Sequence, residues 1–121
     1  MKYLCLLFFD GTKIEALPDA EKKTLDRDSM GYDRELARRG NYVTSQALQP
    51  PEAAVTVRLA DGKLSTTDGP FVELKEHLGG FILIEAVDLN RAIQIAADIP
   101  LVRLGAVAEV RPIYEVPDPD A

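Results

Sequence analysis

Two segments of the chain, residues 3–9 and 81–84, are apolar at nearly every position. A strand with one face in water alternates apolar and polar residues, whereas an unbroken apolar run is typical of a strand covered on both faces. We therefore expect both segments to be strands inside a sheet, with protein packed against each face.

Two helices are predicted, over residues 19–39 and 89–99. Pro18 suits the start of the first helix because proline is tolerated in the first helical turn. Asp88 suits the start of the second helix because its carboxylate can accept from the free N–H groups there. Pro100 is expected to end that second helix.

Shorter strands are predicted from alternation and from turn signals. Valines and a leucine alternate with polar residues over 55–59, and we expect these apolar side chains to face inward. Asp61 and Gly62 follow, and this pair favours a tight hairpin turn because both of its central positions need a positive φ. The other expected strands cover residues 41–47, 63–66 and 106–113.

The resulting order is strand, helix, three strands, loop, strand, helix and strand. It predicts an α+β fold of the ferredoxin-like, split β-α-β type. Two helices can cover only one face of such a sheet. Because two of its strands are apolar on both faces, a second copy of the chain is expected to cover the other face in a homodimer. That arrangement predicts a cavity between the two facing sheets or at their edges.

Composition and charge narrow the classes of function. With 121 residues, 46% hydrophobic and 28% charged, we expect one globular domain over residues 1–116 and a fraying acidic tail over 117–121. The formal net charge of −6 disfavours a nucleic-acid partner, which needs a positive patch. We expect no membrane partner, because no apolar run is long enough to span a bilayer. One cysteine, Cys5, favours a reducing compartment, so the cytoplasm is the expected location.

Candidate chemistry is concentrated in the loop over residues 68–81. It brings carboxylates, a lysine and the one histidine of the chain between glycines, which let backbone approach a ligand or a neighbouring strand closely. Asp68 is the candidate catalytic acid or base. The candidate binding residues are Gly69, Pro70, Phe71, Glu73, Lys75, His77 and Phe81.

These side chains also have plain structural interpretations. Asp68 is either a ligand-binding group or the cap of a turn that begins at Pro70. If that turn is helical, Glu73 and His77 share one of its faces. His77 is either a general base or a solvated surface group, and the pattern favours the surface group. Lys75 either anchors an anionic ligand or pairs with a neighbouring acid at the surface.

Other kinds of site have no support in the sequence. Cys5 lies within an apolar strand, which favours a buried packing role over a nucleophilic one. No group of cysteines and histidines has the spacing of a metal site, and no glycine-rich phosphate-binding pattern occurs. We therefore expect no metal and no cofactor.

The loop and its flanks together resemble a known family. Asp68-Gly69-Pro70-Phe71 is followed by Glu73, by Lys75-Glu76 and by Leu78-Gly79-Gly80-Phe81. The flanking segments are Lys2-Tyr3-Leu4, Ala47-Leu48-Gln49-Pro50-Pro51, Thr56-Val57-Arg58 and Glu109-Val110-Arg111-Pro112-Ile113. With these segments, most of the chain is similar to the DGPF-domain proteins of the YCII-related family.

The resemblance implies a ferredoxin-like fold, a dimeric α/β barrel and an enzyme-like cleft. The loop aspartate, here Asp68, is the favoured functional residue of such proteins. Members often have glutamine where His77 stands and threonine where Leu74 stands. Related YCII proteins are thought to use a His–Asp pair, and this chain has no second histidine to supply one.

Three hypotheses of function agree with these features. The first is an enzyme of proton transfer, resembling a lyase or isomerase, with Asp68 as acid or base and Lys75 as the anchor of an anionic small molecule. The second is a non-catalytic ligand-binding or regulatory module, since some members of the resembled family are linked with transcriptional sigma factors. The third is a dimeric interaction domain without a pocket. The sequence does not identify the small molecule.

Overall fold

The computed structural model describes the whole chain, Met1–Ala121. It contains six strands, four α-helices and a 3-10 helix at Pro51–Ala53. The strands are β1 (Lys2–Phe9), β2 (Tyr42–Ala47), β3 (Val55–Ala60), β4 (Lys63–Asp68), β5 (His77–Glu85) and β6 (Val107–Pro112). The α-helices are α1 (Gly11–Glu15), α2 (Asp19–Arg38), α3 (Leu89–Ala97) and α4 (Pro100–Arg103).

Four strands form one antiparallel sheet in the order β2-β5-β1-β6, while β3 and β4 pair only with each other. Without this hairpin, β1-α2-β2 and β5-α3-β6 are the two halves of the ferredoxin-like arrangement. The α+β, ferredoxin-like fold predicted from the sequence is confirmed. The sheet does not close into a barrel within one chain, because β2 and β6 lie at its two open edges.

The hydrophobic core lies on the face of the sheet that carries the helices. Tyr3, Cys5 and Leu7 alternate along β1 toward this face, opposite Ile84 and Ile82 of β5 and Gly80. The helical side of the core contains Leu36, Ala92, Ile95, Ala96 and Ile99. Alternation along each strand therefore assigns one set of side chains to the helices and leaves the other set on the opposite face.

Cys5 is fully buried in this core. Burial raises the pKa of its thiol from 9.0 to about 11, because the charged thiolate is poorly solvated there. The thiolate is the reactive form, so Cys5 is a packing group at neutral pH, in agreement with the interpretation of the sequence.

The opposite face of the sheet is also apolar but is not fully covered. Leu4 and Leu6 of β1 lie there beside Leu83 and Phe81 of β5, and Phe8 continues the row. All five side chains are only partly buried, whereas those on the helical face of the same strands are almost fully buried. We call these five residues the open sheet face.

Two adjacent glycines in β5 allow two close approaches. The pairing of β1 with β5 shifts by one residue after Leu7, which leaves Gly79 as an extra residue in β5. A Cβ atom on Gly79 would collide with the ring of Phe9, and one on Gly80 would lie 2.9 Å from the backbone oxygen of Gln46 in β2. Gly79 thus makes room for an aromatic ring, and Gly80 makes room for a neighbouring strand.

Tyr32 joins the two long helices. Its hydroxyl donates to the backbone oxygen of Ile95 at 2.6 Å, near the end of α3, where the same oxygen also accepts from the Asp98 N–H at 3.2 Å. Burial first, and then the negative charge of Asp98, raise the pKa of the phenol from 10.0 to about 12. The neutral hydroxyl is therefore the form that the folded protein stabilises.

Two local predictions were wrong. Pro100 does not end the second helix region but opens α4, where a proline in the first turn loses no hydrogen bond. The strand expected over residues 81–84 begins four residues earlier, at His77. The short helix α1 was not predicted; the Asp10 carboxylate, directly after β1, caps it by accepting from Thr12. None of the helices combines the length and the apolar composition that a bilayer-spanning helix requires.

Replacing Gly79 by alanine is expected to lower the free energy of unfolding by about 1–3 kcal/mol, because the added methyl group forces Phe9 from its place. Gly31→Ala is the matched control. Nothing lies within 4 Å of a Cβ atom at this helical position, so that change should raise stability by about 0.5–1 kcal/mol. Urea unfolding of both variants measures the difference, and a Gly79→Ala variant as stable as the wild type would contradict this account.

A loss of stability at alkaline pH is expected from Tyr32. Its pKa is higher in the folded state, so its contribution is full below pH 10.0 and is lost as the pH rises to about 12. Tyr32→Phe removes the hydrogen bond to Ile95 and should cost about 1 kcal/mol below pH 10.0. The gap between the two proteins should narrow above that pH in urea titrations. Parallel curves up to pH 12 would show that Tyr32 is not the group responsible.

Candidate functional site

A cavity of about 500 Å³ lies at the end of the sheet where β1 finishes and β5 begins. One wall comes from the segment between β2 and β3, including Leu48, Pro50 and Ala54. The facing wall comes from the loop between β4 and β5, and side chains of the two strands form the floor. Seven of the twelve lining residues are hydrophobic, so the cavity suits a ligand with an apolar body.

Another hollow, of about 670 Å³, lies between α2 and α4. Four of its twelve lining residues are hydrophobic, and the rest include charged groups on exposed helix surfaces. None of the loop residues reaches it. We take the cavity at the sheet end as the candidate site, because more of its lining residues are hydrophobic and because the loop forms one of its walls.

The base of the β3–β4 hairpin ties the two walls together. The Gly69 N–H donates to the backbone oxygen of Ala54 at 2.7 Å, and the Thr56 hydroxyl donates to the Gly69 oxygen at 2.8 Å. Gly69 has φ 102°, a conformation that costs glycine little and other residues much more. The loop then passes beneath Arg58, whose guanidinium lies 5.5 Å from the centre of the Phe71 ring.

His77 is the one titratable side chain that lines the cavity. Its ring centre lies 5.2 Å from that of Phe9, directly across the β1–β5 pair. On its other side it lies against Gly11, where a Cβ atom would come within 2.8 Å of Nε2. The structure therefore holds His77 half-buried between these two residues, although the sequence favoured a solvated surface group.

Lys75 lies on the same side of the protein as the cap of α1. The Asp10 carboxylate accepts hydrogen bonds from the Thr12 hydroxyl at 2.6 Å and from the Thr12 N–H. The hydroxyl bond first, and then the N–H bond, hold the pKa of Asp10 below its usual value, and the charges of Lys75 and Lys13 lower it further. The predicted surface pair of Lys75 with a neighbouring acid of the loop does not form. Its ammonium group acts on Asp10 instead.

Comparison with known proteins identifies the family. The family model described as the YCII-related domain matches residues 1–117. The chain belongs to the YCII-related family. It is also 33% identical over 99 residues to an uncharacterised protein of Rhizobium meliloti (strain 1021), a match that covers 82% of this chain and 80% of the relative. DGPF is a name within this group, so the resemblance noted in the sequence is confirmed.

Asp68, the favoured functional residue of the YCII-related resemblance, ends β4 and is exposed to solvent. The backbone of the following turn is satisfied by Ala54 and Thr56, and the Asp68 carboxylate takes part in none of the hydrogen bonds there. The cap interpretation of Asp68 was therefore wrong. Asp68 lies two residues from Pro70 in the cavity wall but does not itself line the cavity.

The structure brings together only some of the loop residues chosen from the sequence. Pro70 and His77 line the cavity, and Gly69 supports it. The segment between β4 and β5 contains no helix, so the condition under which Glu73 and His77 would share a helical face is not met. Phe81 is part of the open sheet face, where it pairs with Leu6 of β1.

Several lining residues were missed as site residues. They lie in the segment between β2 and β3, where Gln49, Pro50 and Pro51 were interpreted only as the end of a strand. Their signal was the resemblance itself, because this segment is one of the stretches that match the YCII-related family. No three His, Cys, Asp or Glu side chains lie close enough together to hold a metal ion.

Asp68→Ala is expected to change the free energy of unfolding by less than about 0.5 kcal/mol, because the carboxylate is exposed and makes no hydrogen bond. Asp88→Ala is the matched control. The Asp88 carboxylate accepts from the Arg91 N–H at 2.8 Å as the cap of α3, so its loss should cost about 1 kcal/mol. Thermal and urea unfolding measure the stability of both variants. An equal loss of stability in Asp68→Ala and Asp88→Ala would indicate a structural role for Asp68.

Proposed function

We propose that this YCII-related protein is a homodimer that binds a small, largely apolar molecule in the cavity at the sheet end. The observation that carries the proposal is the lining of the cavity. Apolar side chains from two connecting segments enclose about 500 Å³, with His77 and Gln49 among the few polar groups. Small-molecule sites combine such an apolar lining with a few placed polar groups.

The shape of the lining supports a ligand with an apolar body and one polar group. The apolar body fits between the proline-rich wall, with Pro50 and Pro51, and the loop wall with Val72 and Leu74. The polar group fits beside His77, whose imidazole either donates or accepts according to its tautomer.

We propose that the protein is located in the cytoplasm, since the buried thiol of Cys5 has no partner for a disulfide.

The open sheet face supports the homodimer. Five large apolar side chains in one row are only partly buried there, and an isologous contact with the same row of a second copy would cover them. The helices cover the other face of the sheet, and none of these five side chains is fully buried within one chain.

Proton transfer by Asp68 is a second candidate activity. Asp68 lies two residues before Pro70 of the cavity wall, and no internal hydrogen bond or ion pair occupies its exposed carboxylate, which leaves it available to a ligand. In this mechanism Asp68 exchanges a proton with the ligand, and Lys75 attracts an anionic group of it. The regulatory alternative has the same ligand bound without turnover.

Binding is tested with two variants of the 3-10 helix, each of which gains a phenyl group. Ala53 lines the cavity and its neighbour Glu52 does not. Benzoate and cyclohexanecarboxylate are titrated into labelled protein, with amide chemical shifts as the measurement. Shifts should cluster at residues 48–54 and 70–78, and Ala53→Phe should weaken binding at least tenfold while Glu52→Phe leaves it unchanged. Because Phe8 of the open sheet face also lines the cavity, the contradicting outcomes are shifts confined to the other four residues of that face and equal effects of both variants.

Turnover is then tested with 2-oxo-4-phenylbutanoate, once the same titration has shown that it binds, because this carboxylate has acidic C–H protons beside its ketone. Exchange of these protons with deuterated water is followed by NMR in the presence of wild type and of Asp68→Asn. Loss of exchange in Asp68→Asn with unchanged binding supports proton transfer by this residue. Binding without exchange in the wild type would favour the regulatory alternative.

A further inference from the structure

The two faces of the β3–β4 hairpin differ sharply in chemistry. Residues that pair directly across two strands lie on the same face. Val57 pairs with Thr66, and Leu59 pairs with Leu64, so these side chains share one face with Val55. Arg58, Ser65, Lys63 and the other alternate residues lie on the opposite face. We call the first the apolar hairpin face.

The apolar hairpin face has no cover within its own chain. Val55, Val57, Leu59 and Leu64 are 57%, 64%, 71% and 69% exposed. The loop that follows β4 folds over the other face, where Arg58 lies above Phe71 and Thr56 bonds to Gly69. A two-stranded hairpin alone is only marginally stable in water, so a row of exposed valines and leucines along it indicates a contact with another surface.

The area available fits a second copy of this chain. At roughly 100 Å² for each exposed valine or leucine, one hairpin face offers several hundred Å² of apolar surface. A two-fold contact buries two such faces, one from each copy, together with an equal area of the surfaces that they cover. The total buried area exceeds the roughly 1,000 Å² that a specific interface needs. The open sheet face of the same molecule is also apolar and only partly buried, so an apolar surface of the second copy would suit it as well.

We propose that the apolar hairpin face packs on a second copy of the chain, and that this contact makes Asp68 part of a site shared by the two copies. The inference rests on the proposed homodimer. It goes further because Asp68 pairs with Val55, opposite it in the hairpin, and so lies on the apolar hairpin face. A surface that covers this face also lies against the Asp68 carboxylate. The surroundings of Asp68 are then incomplete in a single chain, which explains why it lines no cavity there.

The test uses single cysteines at exposed positions on the two faces of the hairpin. Leu59→Cys is compared with Lys63→Cys near the tip, and Asp68→Cys with Thr67→Cys at the base; all four positions are exposed in one chain. Cys5 stays in place, because it is fully buried. The probe is N-ethylmaleimide, with mass spectrometry giving the labelling rates and sedimentation equilibrium giving the oligomeric state of each variant.

At concentrations where the protein is dimeric, Leu59→Cys should be labelled at least tenfold more slowly than Lys63→Cys. Asp68→Cys should be labelled at least tenfold more slowly than Thr67→Cys. The differences should vanish on dilution to monomer. A Leu59→Cys protein that is monomeric while Lys63→Cys stays dimeric also supports the contact.

Equal labelling rates in the dimeric variants would overturn this inference and leave the homodimer in place. Protection at position 59 without protection at 68 would overturn the shared site. A wild type that is monomeric at every concentration would overturn the homodimer and this inference together.

Discussion

The pairing of β1 with β5 is the interaction on which the rest of the structure depends. These two strands are the centre of the four-stranded sheet, and their alternate side chains face opposite ways. Tyr3, Cys5 and Leu7 contribute to the core beneath the helices, while Leu4 and Leu6 form part of the open sheet face. A slip of one residue would exchange the two faces, so the register is strongly specified.

The end of the same strand pair positions the candidate site. The extra residue at Gly79 accommodates the ring of Phe9, which packs against His77 across the strands. This packing directs the imidazole to the cavity floor, and the connecting segments on either side of the hairpin become the walls. The glycine pair, which the sequence placed at the end of the loop as a point of close backbone approach, is therefore a structural requirement of the strand.

Much of the fold was predictable because its signals are local. Asp88 caps α3 as expected, and the alternation of Val57 and Leu59 with polar residues marked the hairpin correctly. The prediction that these two apolar side chains face inward was wrong, because the hairpin pairs with no other strand and both are exposed. The short helix α1 was not predicted, because five residues after Asp10 are too few to show a helical period. The start of β5 was placed too late because glycines in the sequence usually indicate a loop, and only the ring of Phe9 explains Gly79 within a strand.

The sequence by itself determined the fold class, the family and the segment that contains the unusual residues. It did so because apolar periodicity, capping residues and the Asp-Gly-Pro-Phe tetrapeptide are properties of neighbouring positions. Only the tertiary structure decided which of those residues meet. It joined His77 to a proline segment about 26 residues earlier in the chain, and it turned Asp68 away from that cavity. The direction of a side chain depends on strand register and on long-range packing, and the spacing of residues within one loop determines neither of these.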